Sequence, residues 1–198
     1  MTMLFDAAAI FAGDDPSKEA TPSLNEKRLV KFEDFHTEAV VSLKSLMGKV
    51  PSKGEALFLW TMKSFNAFTF IAYVCKHIGI ITDLVFTTYS INERILAALR
   101  RRYDDGLIQH IHILISDSIR SRMPKVNDQM VAFADGRNIT ISYAWNHSKI
   151  ILMRTNDHFF VVCGSGNFSE NALYEQYIFL DDEQVYNFYR HHIEHCAR

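Results

Sequence analysis

The sequence predicts an α/β fold: a mixed, mostly parallel sheet flanked by helices on both faces. Three observations predict it. Short apolar runs alternate with longer helical patterns from residue 55 to 136, in the order β-α-β-α-β-α. The last third changes to closely spaced strand-like runs. A chain of 198 residues with 48% hydrophobic content has enough apolar surface for one core of ordinary size, and a second full domain would be cramped.

Residues 1–50 read as an N-terminal extension ahead of one domain at 51–198. The stretch 13–26 is rich in Asp, Pro, Ser, Lys, Thr and Glu and reads as a mobile linker, because it cannot bury enough apolar surface to offset ordering. Residues 27–48 place Leu29, Phe32, Phe35, Val40, Val41, Leu43 and Leu46 roughly at helical spacing, until Pro51 and Gly54 break the pattern. Within the domain, Ala56 to Trp60 reads as a buried strand, Phe65 to His77 as a helix and Leu84 to Thr88 as the next strand. Asn92 is placed to cap a helix that Asp104-Asp105-Gly106 stops. Ile111 to Ile115 is a third strand, and Val126 to Phe133 a short helix. Four further strands are expected at 138–143, 148–154, 158–163 and 177–180, with Thr155-Asn156-Asp157 as a hairpin turn and a terminal helix from about Asp182 to Cys196.

The formal net charge is −2 and the pI about 6.5, so no global positive field draws the protein onto nucleic acid or an anionic membrane. A polyanion would need a local basic patch. Cys75, Cys163 and Cys196 lack the paired spacing of a zinc site or disulfide scaffold and read as free thiols in a reducing compartment. The N-terminus shows no basic region or cleavage pattern of a secretory signal. The apolar stretch from Phe65 to Ile81 is interrupted by Asn66, Lys76 and His77 and falls short of the ~20 residues that span a bilayer. The expectation is a cytoplasmic protein without stable membrane association.

The chemistry concentrates between His147 and Asn167. Side chains at i and i+2 of a strand share a face, so His147 and Lys149 converge. After a hairpin, the returning strand delivers Ser165 and Asn167 within the glycine-flanked turn Gly164-Ser165-Gly166-Asn167, where backbone N–H groups can approach a ligand. An imidazole, an ammonium, a hydroxyl and an amide together suit a phosphate diester. Lys149 and Asn167 can stabilise charge that builds up on nonbridging oxygens, and a neutral His147 can attack phosphorus.

His147-x-Lys149 followed by Gly164-Ser165-x-Asn167 resembles the HKD motif of the phospholipase D superfamily, usually H-x-K-x4-D-x6-G-S-x-N. The resemblance covers roughly residues 55 to 185 in topology, with its diagnostic residues at 147–175, and implies a phospholipase D-like fold. The chain departs from the motif at Arg154, which stands where the Asp is usual; Asp157 stands at the usual interval before Gly164. The resemblance further implies that Glu175 orients the catalytic imidazole, as an acid does in a triad. One motif is present where the family's site uses two, so a homodimer sharing one active site is implied. The implied reaction needs no metal or cofactor. Short length and a single motif resemble the small Nuc-type endonucleases, making nucleic acid, and DNA first, the expected substrate. The alternatives are a phospholipase D-type lipid hydrolase and a noncatalytic nucleic-acid-binding protein that keeps the fold.

The expected catalytic set is thus His147, Lys149, Asn167, Glu175 and Ser165. The expected substrate-binding set is Lys63 and Ser64 after the first strand, Ser148 and Gly166 inside the motif, and Trp145 as a stacking surface for a base or sugar. Ser116 and Asp117, after the third strand, are further pocket candidates. Phe168 flanks the motif and suits either stacking or the core. Arg100-Arg101-Arg102 ends a helix, where cations complement the dipole and face solvent. His191, His192 and His195 share helical spacing, but no acidic catalytic motif accompanies them.

Overall fold

A computed structural model describes residues 32–61, 65–169 and 174–196 of the chain. The linker expected at 13–26 lies outside the described residues, as do Lys63 and Ser64. In chain order the elements are α1 (Phe32–Met47), β1 (Ala56–Thr61), α2 (Phe68–His77), β2 (Asp83–Thr88), α3 (Glu93–Asp104), β3 (Ile111–Ser116), α4 (Ile119–Arg122), α5 (Pro124–Ala134), β4 (Ile139–Ala144), β5 (Ile150–Arg154), β6 (Phe159–Gly164), β7 (Glu175–Asp181) and α6 (Glu183–His195). Local chemistry sets the boundaries. The Asn92 side chain accepts from the Ile95 N–H at 2.8 Å to start α3, and Asp182 accepts from the Val185 N–H at 2.9 Å to start α6. Gly106 follows α3 with φ at 73°, the left-handed turn that only glycine adopts freely.

The strands form one sheet in the order β1-β7-β6-β5-β2-β3-β4. Only the β2/β3 and β3/β4 pairings are parallel; the pairings β1/β7, β7/β6, β6/β5 and β5/β2 are antiparallel. The expectation of a mostly parallel sheet is therefore corrected to mixed and mostly antiparallel. The physical reason lies in the last third of the chain. A connection as short as residues 155–158 cannot carry a crossover, so β5 and β6 must pair antiparallel. The β5-β6-β7 meander then inserts between β2 and β1, which the β-α-β pattern alone would have made neighbours.

Alternation along the strands sends side chains to two unequal cores. In β2, Leu84 and Phe86 join the larger cluster with Phe68, Phe70, Ile113 and Phe179, while Val85 points the other way. Helices α1, α2, α3 and α5 supply the larger cluster: Val40 and Leu43 of α1 are buried in it. The smaller cluster gathers Val85, Leu114, Leu152 and Val161 under Tyr186 and Ile193 of α6. Burial of large side chains such as these contributes about 1.5–3 kcal/mol each. The three cysteines carry free thiols. Among the described residues, no helix is long and apolar enough to cross a membrane.

Strand β1 differs from its expectation as a buried strand. It lies at the sheet edge, and Phe58 and Trp60 are exposed. Phe58 pairs with Ile178, which pairs with Cys163, a residue packed on the smaller cluster; the exposed aromatics therefore share the face that α6 covers.

Candidate active site

Strand directions bring the candidate residues to one edge of the sheet. Strands β2, β3, β4 and β6 end there, whereas β5 and β7 begin there. The edge is consequently formed by Thr88-Tyr89 after β2, Trp145 to Lys149 between β4 and β5, Ser165 to Asn167 after β6, and Glu175 at the start of β7. This is the side on which open α/β sheets commonly hold ligands.

His147 and Lys149 lie in the approach to β5. His147 is exposed and Lys149 half-buried. The Lys149 ammonium sits 3.3 Å from His147 Nδ1 and donates to the His147 carbonyl at 2.7 Å, so the two heads do converge. Burial lowers the Lys149 pKa, and the negative charge of Glu175 opposes that shift. Between them, Ser148 is pinned to the scaffold: its hydroxyl donates to Thr87 Oγ1 at 2.8 Å and to Asn146 Oδ1 at 2.6 Å. Asn146 in turn donates to the Thr88 carbonyl at 3.2 Å. The loop carrying the imidazole is thereby stitched to the end of β2.

The Gly164–Asn167 turn is built by close approach. A Cβ on Gly164 would stand 2.3 Å from the Tyr177 ring, and one on Gly166 would stand 1.9 Å from the Tyr177 hydroxyl. Glycine is required at both positions because the buried phenol fills the space a side chain would need. Asn167 accepts from the Tyr89 N–H at 3.3 Å through Oδ1, and the Thr88 hydroxyl lies 3.5 Å from the same oxygen. With its oxygen committed, the amide presents Nδ2, for which the described residues contain no acceptor. Phe168 is fully buried and stacks on Phe86 at 4.4 Å, a core role.

Glu175 is buried, and the Ser165 hydroxyl donates to its carboxylate. Ser165 also accepts from the Gln176 N–H at 3.1 Å. Among the described residues no hydrogen bond joins Glu175 to His147; its carboxylate bonds Ser165 and its charge acts on Lys149. The edge thus gathers an ammonium and an imidazole from the β4–β5 loop and an amide from the turn after β6.

Arg154 and Asp157 are remote from this edge. They lie at or beyond the far end of β5, roughly 13 Å or more from its start at ~3.3 Å per residue. Arg154 pairs in register with Asp83 of β2, whose carboxylate holds His110 at 2.5 Å, accepts from the Tyr186 hydroxyl at 2.7 Å and forms an ion pair with Arg190. Asp157 is exposed in the turn. Among the described residues no cluster of His, Cys, Asp and Glu is arranged to hold a metal ion.

Sequence reasoning missed Tyr89, Thr87, Thr88 and Asn146. The Tyr89 ring packs 5.1 Å from the His147 ring and its N–H orients Asn167. Their signal was positional: they end a buried strand or immediately precede His147.

The fold and this edge define an α/β protein with a His–Lys pair at one end of its sheet. Among solved structures the chain is similar to Nuc, a phospholipase D family member from Salmonella typhimurium, at a TM-score of 0.54 and 15% identity, covering 73% of this chain and 96% of that one. It is also similar to polyphosphate kinase from Porphyromonas gingivalis (TM-score 0.50, 14% identity, 69% of this chain and 25% of that one). Phosphatidylserine synthase from Haemophilus influenzae matches at a TM-score of 0.50 and 10% identity, over 71% of this chain and 37% of that one. No protein-family model and no curated protein matches the sequence. The chain thus has a phospholipase D-like fold.

Proposed function

We propose that the chain is a metal-independent phosphodiesterase, a nuclease of Nuc type, that works through a phosphohistidine in a site shared by two copies. The observation that carries the reading is the meeting of His147 and Lys149 at 3.3 Å, on the edge that also carries Asn167, whose amide nitrogen has no acceptor among the described residues. In the first step an imidazole nitrogen of His147 forms a bond to phosphorus as the P–O bond to the leaving group breaks. His147 of the second copy gives its proton to that oxygen. In the second step the same partner imidazole takes a proton from water, the water oxygen bonds phosphorus, and the N–P bond breaks. Lys149 and Asn167 stabilise the charge on the nonbridging oxygens throughout. Glu175, held by Ser165, places a negative charge near Lys149.

The requirement for a second copy has a physical counterpart. Phe58, Trp60 and Ile178 are exposed on the β1/β7 face, and exposed Tyr174, adjacent to Glu175, stacks with Trp60 at 6.1 Å. A contiguous aromatic surface that borders the site supports an isologous contact there.

Cleavage in EDTA of single-stranded DNA, duplex DNA, RNA and phosphatidylcholine, comparing the unmodified protein with His147→Ala, tests the reading. Metal-free cleavage of nucleic acid that His147→Ala loses is expected. Hydrolysis of phosphatidylcholine alone would make the chain a lipid hydrolase; binding of nucleic acid without cleavage would make it a noncatalytic binder.

A further inference from the structure

Beside His147 lies a cavity of about 410 Å³, lined by Tyr89, Ser116, Asp117, Ser118, Arg120 and Trp145 among others. Its size falls within the range of small-ligand sites. The Trp145 indole is fully exposed, two residues ahead of His147. Tyr89 belongs to both places: it lines the cavity, and its ring packs 5.1 Å from the imidazole. Two guanidinium groups stand over aromatic rings here, Arg122 at 4.3 Å over Tyr89 and Arg120 at 3.8 Å over Tyr143. Arg122 is fixed by the Tyr89 carbonyl at 3.4 Å and by Ser118 Oγ at 3.2 Å, and pairs with no carboxylate among the described residues. Arg120 pairs with Asp117 at 3.0 Å.

An exposed indole, a second aromatic ring and guanidinium groups over Tyr89 and Tyr143 form the chemistry on which unpaired bases stack while arginine meets the backbone. In a duplex each base is already stacked on both faces and paired at its edge, so its face cannot reach an indole on a protein surface. The whole chain carries a net charge of −2, which weakens counterion-release binding along a duplex. We infer that the cavity from Tyr89 to Trp145 is a subsite for an unpaired nucleotide next to the scissile phosphate, and that the substrate is single-stranded nucleic acid. This rests on the phosphodiesterase reading of the neighbouring edge.

The chain has two tryptophans, so in a Trp60→Phe protein Trp145 is the sole indole. Titrating that protein with a single-stranded DNA, an RNA of the same sequence and the matching blunt DNA duplex reads the subsite by fluorescence. Saturable quenching by single strands, with the duplex at least tenfold weaker, is expected, and comparing DNA with RNA shows which sugar is preferred. In fluorescence anisotropy, Trp145→Ala should weaken single-strand binding by about tenfold. Absence of quenching, equal binding of the duplex, or unaltered affinity in Trp145→Ala overturns the proposal. Turnover of bis(p-nitrophenyl) phosphate by the unmodified protein reads the phosphodiesterase chemistry separately. Turnover without quenching removes the subsite and leaves the enzyme, whereas quenching without turnover supports the subsite and removes the enzyme.

Discussion

The Ser165 hydroxyl donates to the Glu175 carboxylate and so ties the end of β6 to the start of β7 at the edge that carries His147 and Lys149. A buried carboxylate is costly without partners, and here the hydroxyl and the neighbouring Lys149 charge supply them. Glu175→Gln keeps the shape and removes the charge. Turnover of a nucleic acid or simple diester is expected to fall by about 10²–10³-fold, within the range for groups that support proton transfer, with unchanged circular dichroism. Full activity in this variant would mean that Glu175 has a structural role only.

Lys149 gives the pH dependence a definite sign. Its pKa is lowered by burial, so its ammonium is lost at a lower pH than that of an ordinary lysine. In the proposed reaction the ammonium that would stabilise the phosphoryl oxygens is present below this lowered pKa and disappears as pH rises through it. The expected kcat/KM profile therefore falls on its alkaline side before the ordinary lysine value of about 10.4. In Lys149→Arg the residual activity should lose that alkaline fall, because guanidinium stays charged.

Tyr177 makes a stability prediction. Gly164→Ala would drive a methyl group to 2.3 Å from the Tyr177 ring and 2.6 Å from the Gln176 carbonyl. Overpacking of this kind costs about 1–3 kcal/mol, to be read from urea unfolding. Gly166→Ala meets chiefly the Tyr177 hydroxyl, so adding Tyr177→Phe to it should recover part of the loss. Equal stability of Gly166→Ala with and without Tyr177→Phe would refute the contact.

The exposed β1/β7 face makes an assembly prediction. Trp60→Glu places a charge among Phe58, Tyr174 and Ile178. Sedimentation is expected to show the unmodified protein as a dimer and Trp60→Glu as a monomer with most of its diester turnover lost. A monomeric, fully active unmodified protein over micromolar concentrations would remove the shared site.

Much of this was legible in the sequence because local signals agree with the fold. Strand and helix positions followed apolar periodicity, and the caps at Asn92 and Asp182 formed as their side-chain chemistry dictates. Pairing partners were less legible. Nothing within Ala56–Trp60 reveals that β7 rather than β2 lies beside it, nor that the outer faces of Phe58 and Trp60 lack a covering helix. At the site, the His147 and Lys149 heads lie 3.3 Å apart, but in the loop ahead of β5 and not on the strand that the spacing argument assumed. The positioning contacts were hidden because they cross long stretches of chain: Tyr89 reaches Asn167, and Thr87 reaches Ser148. Arg154 departs from the motif, but it lies away from the edge that carries His147 and Asn167 and opposite Asp83.

The central claim is that His147 is the nucleophile. Its most direct measurement is to quench turnover of a radiolabelled diester in alkali, under which phosphohistidine persists, and to map the phosphorus by peptide mass spectrometry. Phosphorus on His147 in the unmodified protein, with none in His147→Ala, is expected. Undiminished turnover by His147→Ala, with no covalent phosphorus in either protein, would contradict it.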